Sequence, residues 1–280
     1  MSKQLTRRTA VLVVALLAAA VTHAGETQVQ RPAYALQAEQ HGDGATAVVF
    51  ESGFGQGAGV WKDVIAQLGP DCRCIAYGRA GLGGSTTDGA PKRIDEHLQD
   101  LGAVIDSLAP DRKVVLVGHS YGGLLATEFA RKYPNRLSGL VLVDPSTMQQ
   151  RHAFLAADRD RVLADDRALL EMLPPSMGAD YTNLIAQLDS ADAALPRAMP
   201  DLPVALLTST AVADEPFVFE ETARGKSLWK AQHATLFAGF SQGTHRYLAT
   251  GHNIHRENPA AVADAIRAVA DQASGKAGAR

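Results

Sequence analysis

The pentapeptide Gly118-His119-Ser120-Tyr121-Gly122 joins a short aliphatic run at residues 114–117 to a helical pattern that opens near Leu124. A strand that turns sharply into a helix forces the residue at the turn into a strained backbone conformation, and glycine on either side removes side chains that would collide there. The Ser120 hydroxyl is thereby left exposed at the tip of the turn. The N-terminal amides of the following helix point at the same spot, where they favour developing negative charge. That combination suits attack by a serine oxygen on an acyl carbon. A neutral hydroxyl is a poor nucleophile, so the chemistry also needs a base within hydrogen-bond reach, and histidine, of which the chain holds nine, is the natural candidate.

Such a turn needs a sheet behind it. From residue 33 onward, short apolar runs alternate with amphipathic stretches, the pattern of an α/β architecture with a largely parallel sheet. Residues 47–50, 114–117, 140–143 and 204–207 are aliphatic without polar alternation and read as strands buried on both faces. Weaker strands are expected at 74–77 and 246–249, and 34–38 is expected to start the sheet as an antiparallel edge. Ile94, Leu98, Leu101, Val104, Ile105 and Leu108 fall on one face at helical spacing, with Pro110 as the stop. Leu124, Leu125 and Phe129 mark the next helix, ended near Pro134, and Asn258-Pro259 suits the start of a last helix with Val262, Ile266 and Val269 inward. Residues 145–200 break the alternation. Leu155, Val162, Leu163, Leu169, Leu170 and Leu173 keep helical periodicity, Pro174-Pro175 and Pro196 act as breakers, and no strand is expected, so the segment reads as a helical lid insertion.

Composition removes several classes of function. A chain of 280 residues that is 46% hydrophobic and 20% charged can bury a substantial core, which excludes disorder as its main state. With 27 Lys+Arg against 30 Asp+Glu, the formal charge of -3 offers no footprint for nucleic acid. Cys72 and Cys74 are the whole cysteine complement, which excludes a disulfide scaffold and a cysteine-rich zinc module. Two apart on an expected strand, they face the same way and read as packed thiols. No His, Cys and carboxylate group stands at metal-ligand spacing, so neither metal nor cofactor is expected. At the N-terminus, Lys3, Arg7 and Arg8 precede the apolar run 10–21, and Thr22-His23-Ala24 offers small residues for cleavage. Residues 1–24 therefore read as a signal peptide and 25–280 as one exported domain, periplasmic or secreted. The apolar run is too short for a membrane-spanning helix, so no stable span is expected in the mature chain.

Five stretches, in this order, resemble the α/β-hydrolase-fold serine hydrolases, a group that includes esterases and lipases. They are Phe50-Glu51-Ser52-Gly53-Phe54-Gly55, then residues 77–85 (Tyr77-Gly78-Arg79-Ala80-Gly81-Leu82-Gly83-Gly84-Ser85), the Ser120 turn, Val141-Leu142-Val143-Asp144-Pro145, and residues 250–255 around His252. The resemblance covers residues 33–270 and implies an α/β-hydrolase fold, a mostly parallel sheet flanked by helices. Dehalogenases and epoxide hydrolases of this fold carry aspartate at the turn, so Ser120 points to acyl transfer. The resemblance makes His252 the base, after the last expected strand and before the final helix, whereas His255 reads as a core or supporting group and His119 as packed beneath the turn.

Most members supply the acid after the strand equivalent to 204–207. Here Thr208-Ser209-Thr210-Ala211-Val212-Ala213 holds none before Asp214. Some members supply it one strand earlier, where Asp144 stands. Asp144 is the first choice, Asp214 the second, and Glu215 and Glu220 remain open. The fold's oxyanion hole nominates the backbone amides of Phe54 and Tyr121. Tyr77-Gly78-Arg79 departs from the family's usual aspartate at its middle position, Gly78, which implies a rearranged support for the oxyanion loop. The expected function is an exported serine hydrolase acting on a small-molecule carboxylic ester through a Ser120-His252-Asp144 triad. An amidase or peptidase on the same residues, an acyltransferase, and a non-catalytic hydrolase-fold binding protein are the alternatives. Leu155, Leu169, Leu170, Met172, Leu173 and Met177 are candidates for an apolar acyl pocket or an ordinary lid core.

Overall fold

Aliphatic runs too short for helices and without polar alternation form the middle of an eight-stranded sheet. The computed structural model describes residues 25–191 and 199–275, so the expected signal peptide and Pro196 lie outside the described residues. The strands are β1 (Gly25–Gln30), β2 (Ala35–His41), β3 (Thr46–Glu51), β4 (Cys72–Tyr77), β5 (Val114–His119), β6 (Leu137–Val143), β7 (Val204–Ser209) and β8 (Thr244–Leu248). Their order across the sheet is β1-β2-β4-β3-β5-β6-β7-β8. The β1–β2 and β2–β4 pairs are antiparallel and all the others parallel.

Side chains that alternate along each central strand feed two separate cores, as a sheet covered on both faces requires. Val49, Leu116, Leu140 and Leu206 pack with Leu101, Ile105, Leu125 and Phe129, from α2 (Ile94–Leu108) and α3 (Tyr121–Lys132). Val48, Phe50, Val115, Val117, Val141 and Leu207 pack on the opposite face with Trp61, Val64 of α1 (Lys62–Leu68), and Val262 and Ile266. Between β6 and β7 come α4 (Gln150–Met172) and α5 (Pro175–Asp189), the helices of the 145–200 insertion. Asp158 leaves helical geometry (φ -156, ψ 80) and kinks α4. The remaining helices are α6 (Ala223–Ala238), α7 (Ile254–Glu257) and α8 (Pro259–Ala273).

The strand expected at 34–38 is not the edge of the sheet. Gly25–Gln30 pairs outside it over six residues, from Gly25 opposite Gln40 to Gln30 opposite Ala35. This edge strand is polar on both faces, with Val29 its only buried side chain, so it carries no hydrophobic alternation to read. The other strands lie within a few residues of the expected positions. The seven-residue α1 buries Val64, Ile65 and Leu68 but is too short to stand out as a helical pattern, and the long α6 carries no clear apolar stripe because it buries Lys226 and His233 together with Trp229 and Leu236. Among the described residues, no helix is long and apolar enough to cross a membrane.

Candidate active site

Ser120 sits where β5 meets α3, with φ +53 and ψ -123, a region that costs a non-glycine residue about 1–3 kcal/mol. Backbone bonds hold it there. Its N–H donates to the Val143 carbonyl at 3.2 Å, and its own carbonyl accepts from Gly123, Leu124 and Ser146 at 2.8, 3.1 and 2.9 Å. The flanking glycines answer close approach: a Cβ at Gly122 would stand 2.2 Å from the Glu51 carbonyl oxygen, and one at Gly118 2.4 Å from that of Gly122.

Asp144 follows β6 directly, also at positive φ, and is fully buried. Its carboxylate is filled on both oxygens. Oδ1 accepts from the Ser209 amide at 2.7 Å and from Trp229 Nε1 at 2.8 Å. Oδ2 accepts from Ser209 Oγ at 2.7 Å and from His252 Nδ1 at 2.7 Å. Burial pushes this carboxyl up, but the bond and charge of His252 and the Trp229 donor outweigh it and hold its pKa well below the usual carboxylate range. On His252, burial pulls the imidazole down while the Asp144 bond and charge raise it, and its pKa lies above the ordinary 6.5. The His252 side chain keeps 27% of its surface exposed. Asp214 and Glu215 stand at the surface of the loop after β7 with no bond to His252, so the structure does not bring them to the site. His119, beneath the turn, places Nε2 3.0 Å from the His252 carbonyl oxygen. His255 is buried, and neither of its ring nitrogens has a partner among the described residues.

Phe54 lies in the loop after β3, and Tyr121 is the first residue of α3. Among the described residues, neither of their backbone N–H groups is bonded to another protein group, and both residues line the same cavity as Ser120. The loop carrying Phe54 is braced from below. Arg79, 3% exposed, donates to the Ser52 and Gly53 carbonyls at 2.5 Å each and pairs with Glu51 at 2.6 Å. The Tyr77 hydroxyl donates to the same glutamate. Arg79, next to the Gly78 that departs from the expected aspartate, therefore braces the loop through the loop's carbonyls.

The cavity over Ser120 measures about 420 Å³ and is lined on the sheet side by Phe54, Tyr121 and His252. Leu169, Leu173, Leu184 and Leu188 of the insertion line it from above. Of the expected acyl-pocket residues, Leu169 and Leu173 face this cavity, Leu155 packs against the Phe154 cluster, and Met172 is 70% exposed. Among the described residues, no hydrogen bond joins Ser120 Oγ to the His252 ring, though both residues line the one cavity.

One grouping departs from the expectation of no metal-ligating cluster: atoms of Asp144, Glu220 and His252 lie within 4.8 Å of one another. Chain separation hid it. The ammonium of Lys226 already pairs with Glu220, and four donors fill Asp144, so a further cation would meet a positive charge and occupied lone pairs. Ser209, Trp229, Lys226 and Glu220 thus surround the candidate acid and base, and of these only Glu220 was among the candidates read from the sequence.

A model of the alpha/beta hydrolase family matches residues 48–265. The uncharacterized protein YqjL of Bacillus subtilis is 24% identical over 223 residues, 79% of this chain and 82% of that protein. The putative carbamate hydrolase RutD of Azorhizobium caulinodans is 35% identical over 106 residues, a match spanning 38% of this chain and 39% of that protein. A solved thermophilic esterase from Thermogutta terrifontis superposes with a TM-score of 0.65 at 22% identity, covering 89% of this chain and 99% of that one.

Proposed function

The chain belongs to the alpha/beta hydrolase family, and from that premise we propose that it is a serine hydrolase cleaving a carboxylic ester through an acyl-enzyme intermediate. The observation that carries this reading is the 2.7 Å bond from His252 Nδ1 to Asp144, which turns the other face of the imidazole to the cavity that Ser120 lines. Ser120 Oγ attacks the ester carbonyl as its proton passes to His252 Nε2, and Asp144 stabilises the imidazolium. The carbonyl oxygen becomes an oxyanion held by the amides of Phe54 and Tyr121. Collapse breaks the bond to the alcohol, which leaves with the proton from His252. Water, deprotonated by the same histidine, then attacks the acyl-Ser120 ester, and the second collapse frees the acid and restores the serine.

The strained backbone at Ser120, the two unbonded amides and the apolar wall beneath the insertion support this assignment, with α4 and α5 as the lid. The esterase likeness is in accord with it. Amide-type hydrolysis on the same residues is the second reading, favoured by the partial likeness to a carbamate hydrolase. Export through residues 1–24 belongs to the proposal as well. A fluorophosphonate should label Ser120, and Ser120→Ala should abolish hydrolysis of p-nitrophenyl esters from acetate to palmitate without loss of fold. Label on another serine, or full activity in the alanine variant, would sink the serine mechanism. Faster turnover of matched carbamates or amides than of esters would transfer the assignment to the second reading.

A further inference from the structure

A pair of charges beside the cavity has no part in the reaction just described. Glu220, in the short helix Phe219–Glu221, lines the cavity yet is nearly buried. Lys226, one turn into α6 and 2% exposed, pairs with it. The Lys226 Nζ also donates to Ser209 Oγ at 2.9 Å, the hydroxyl that donates onward to Asp144 Oδ2. The same ammonium lies 5.9 Å from the centre of the Trp229 ring, whose N–H donates to Asp144 Oδ1. One cation is therefore shared between two buried carboxylates, both of which face His252.

Charge counting gives the arrangement a role. Two carboxylates and one ammonium leave a single negative charge when His252 is neutral, and the imidazolium cancels it. The buried cluster is neutral only in the protonation state that the tetrahedral intermediate requires. A structural ion pair at this depth offers little net stability over apolar groups of the same shape, so stability alone does not account for it.

We propose that Glu220 and Lys226 are positioning residues that act through His252: Glu220 is a second carboxylate that favours its imidazolium, and Lys226 limits that effect while orienting Asp144 through Ser209. This rests on the assignment of Ser120, His252 and Asp144 as the catalytic set. Burial lowers the His252 pKa, the bond and charge of Asp144 raise it, Glu220 raises it further, and Lys226 lowers it. The other titratable groups around the ring are His119 at the end of β5, His233 of α6 and His255 of α7. Burial holds His119 well below its ordinary pKa, His233 down to about 4 and His255 down to about 3. Arg256, beside His255, adds to the lowering there. These three imidazoles are all held below their ordinary value by burial, so the charges that bear on His252 beside Asp144 are those of the Glu220–Lys226 pair.

The test is the titration of the His252 Cε1 proton by NMR, assigned against His252→Gln, beside the acid limb of kcat/KM for p-nitrophenyl butyrate. Glu220→Gln should lower the His252 pKa by about one pH unit and Lys226→Met should raise it by a similar amount. The double variant should titrate within about half a pH unit of the parent, because the two effects oppose each other. A merely structural pair changes Tm but does not move one imidazole in opposite directions. An unmoved imidazole in either single variant, both moving the same way, or a displaced double variant overturns the proposal. Should Lys226→Met fail to fold, Glu220→Gln and the double variant still decide it. The NMR arm needs no turnover, so a parent protein without ester hydrolysis would overturn the functional reading and leave this inference to be judged on the imidazole.

Discussion

β6 and β7 run side by side just inside the edge strand β8, each buried on both faces, and each ends at the same rim. β6 stops at Val143, and the next residue is Asp144, pinned by four hydrogen bonds. β7 continues to Ser209, and its first downstream acid, Asp214, stands exposed in a loop. The two strand ends have divided the work: one presents the carboxylate, and the other supplies the amide and hydroxyl that hold it. A carboxylate one residue beyond a buried strand inherits the rigidity of the sheet, whereas one five residues into a loop does not.

The largest effect expected from this comparison is in the two aspartates themselves. Asp144→Asn should lower kcat by up to about 10⁴-fold with folding retained, while Asp214→Asn should leave turnover near that of the parent. Kinetics and melting curves on the two purified variants decide it, and near-normal turnover in Asp144→Asn would move the acid elsewhere. The next effect is in pH. In the proposed mechanism His252 must be neutral to accept the serine proton, and because its pKa is raised above 6.5, kcat/KM should fall about ten-fold per pH unit below that raised value. The contribution of His252 to stability should run the other way across this window. A raised histidine contributes stability that is complete below its unfolded pKa and is lost as pH rises through the folded one. Asp144, held low, contributes stability present above the ordinary carboxylate range and lost only as pH falls through its lowered value. Between pH 6.5 and the His252 pKa, activity should therefore rise while the His252 share of stability is lost. The buried His119, His233 and His255, all held low, add stability with the opposite slope near pH 6.5. The check is thus the Tm difference between the parent and His252→Gln, which should shrink as pH rises, and a difference that grows would contradict the pairing.

Smaller effects test the β7 end. Ser209→Ala removes one donor to Asp144 and the acceptor of Lys226, and should cost kcat about ten-fold with KM little changed. Trp229→Phe keeps the ring and deletes only the Nε1 donor to Asp144 Oδ1. It should destabilise the fold by about 1–2 kcal/mol with a rate loss smaller than that of Ser209→Ala, as read by denaturant unfolding and steady-state kinetics.

The same two strand ends show what the chain reveals before it folds. Ser120 is legible because glycine spacing, a preceding aliphatic run and a following helical pattern all describe one local turn. Asp144 is legible as a candidate because it touches its strand in sequence. The support around it is not: Ser209 lies 65 residues away and Trp229 85 residues away, and nothing local marks either as a donor to that carboxylate. Helix α6 escapes pattern reading for a related reason. A helix that buries Lys226 and His233 to serve a polar site loses the apolar stripe by which helices are recognised. At the far edge, Gly25–Gln30 is held by backbone pairing with almost no burial of its side chains, and such a strand leaves no trace in hydrophobicity.

The kink at Asp158 divides α4, yet the two halves are stapled together. Arg151, on the first half, pairs with Asp166 on the second at 2.9 Å and with Asp189 at the end of α5 at 2.6 Å. Tyr181 of α5 adds a bond to the same Asp166 at 2.7 Å. A single guanidinium thus rivets three segments of the roof into one slab, and flexing at Asp158 would have to break a largely buried ion pair. Widening the cavity, for a larger acyl group in the proposed reaction, would then require the two helices to tilt as a unit and not to hinge apart at the kink.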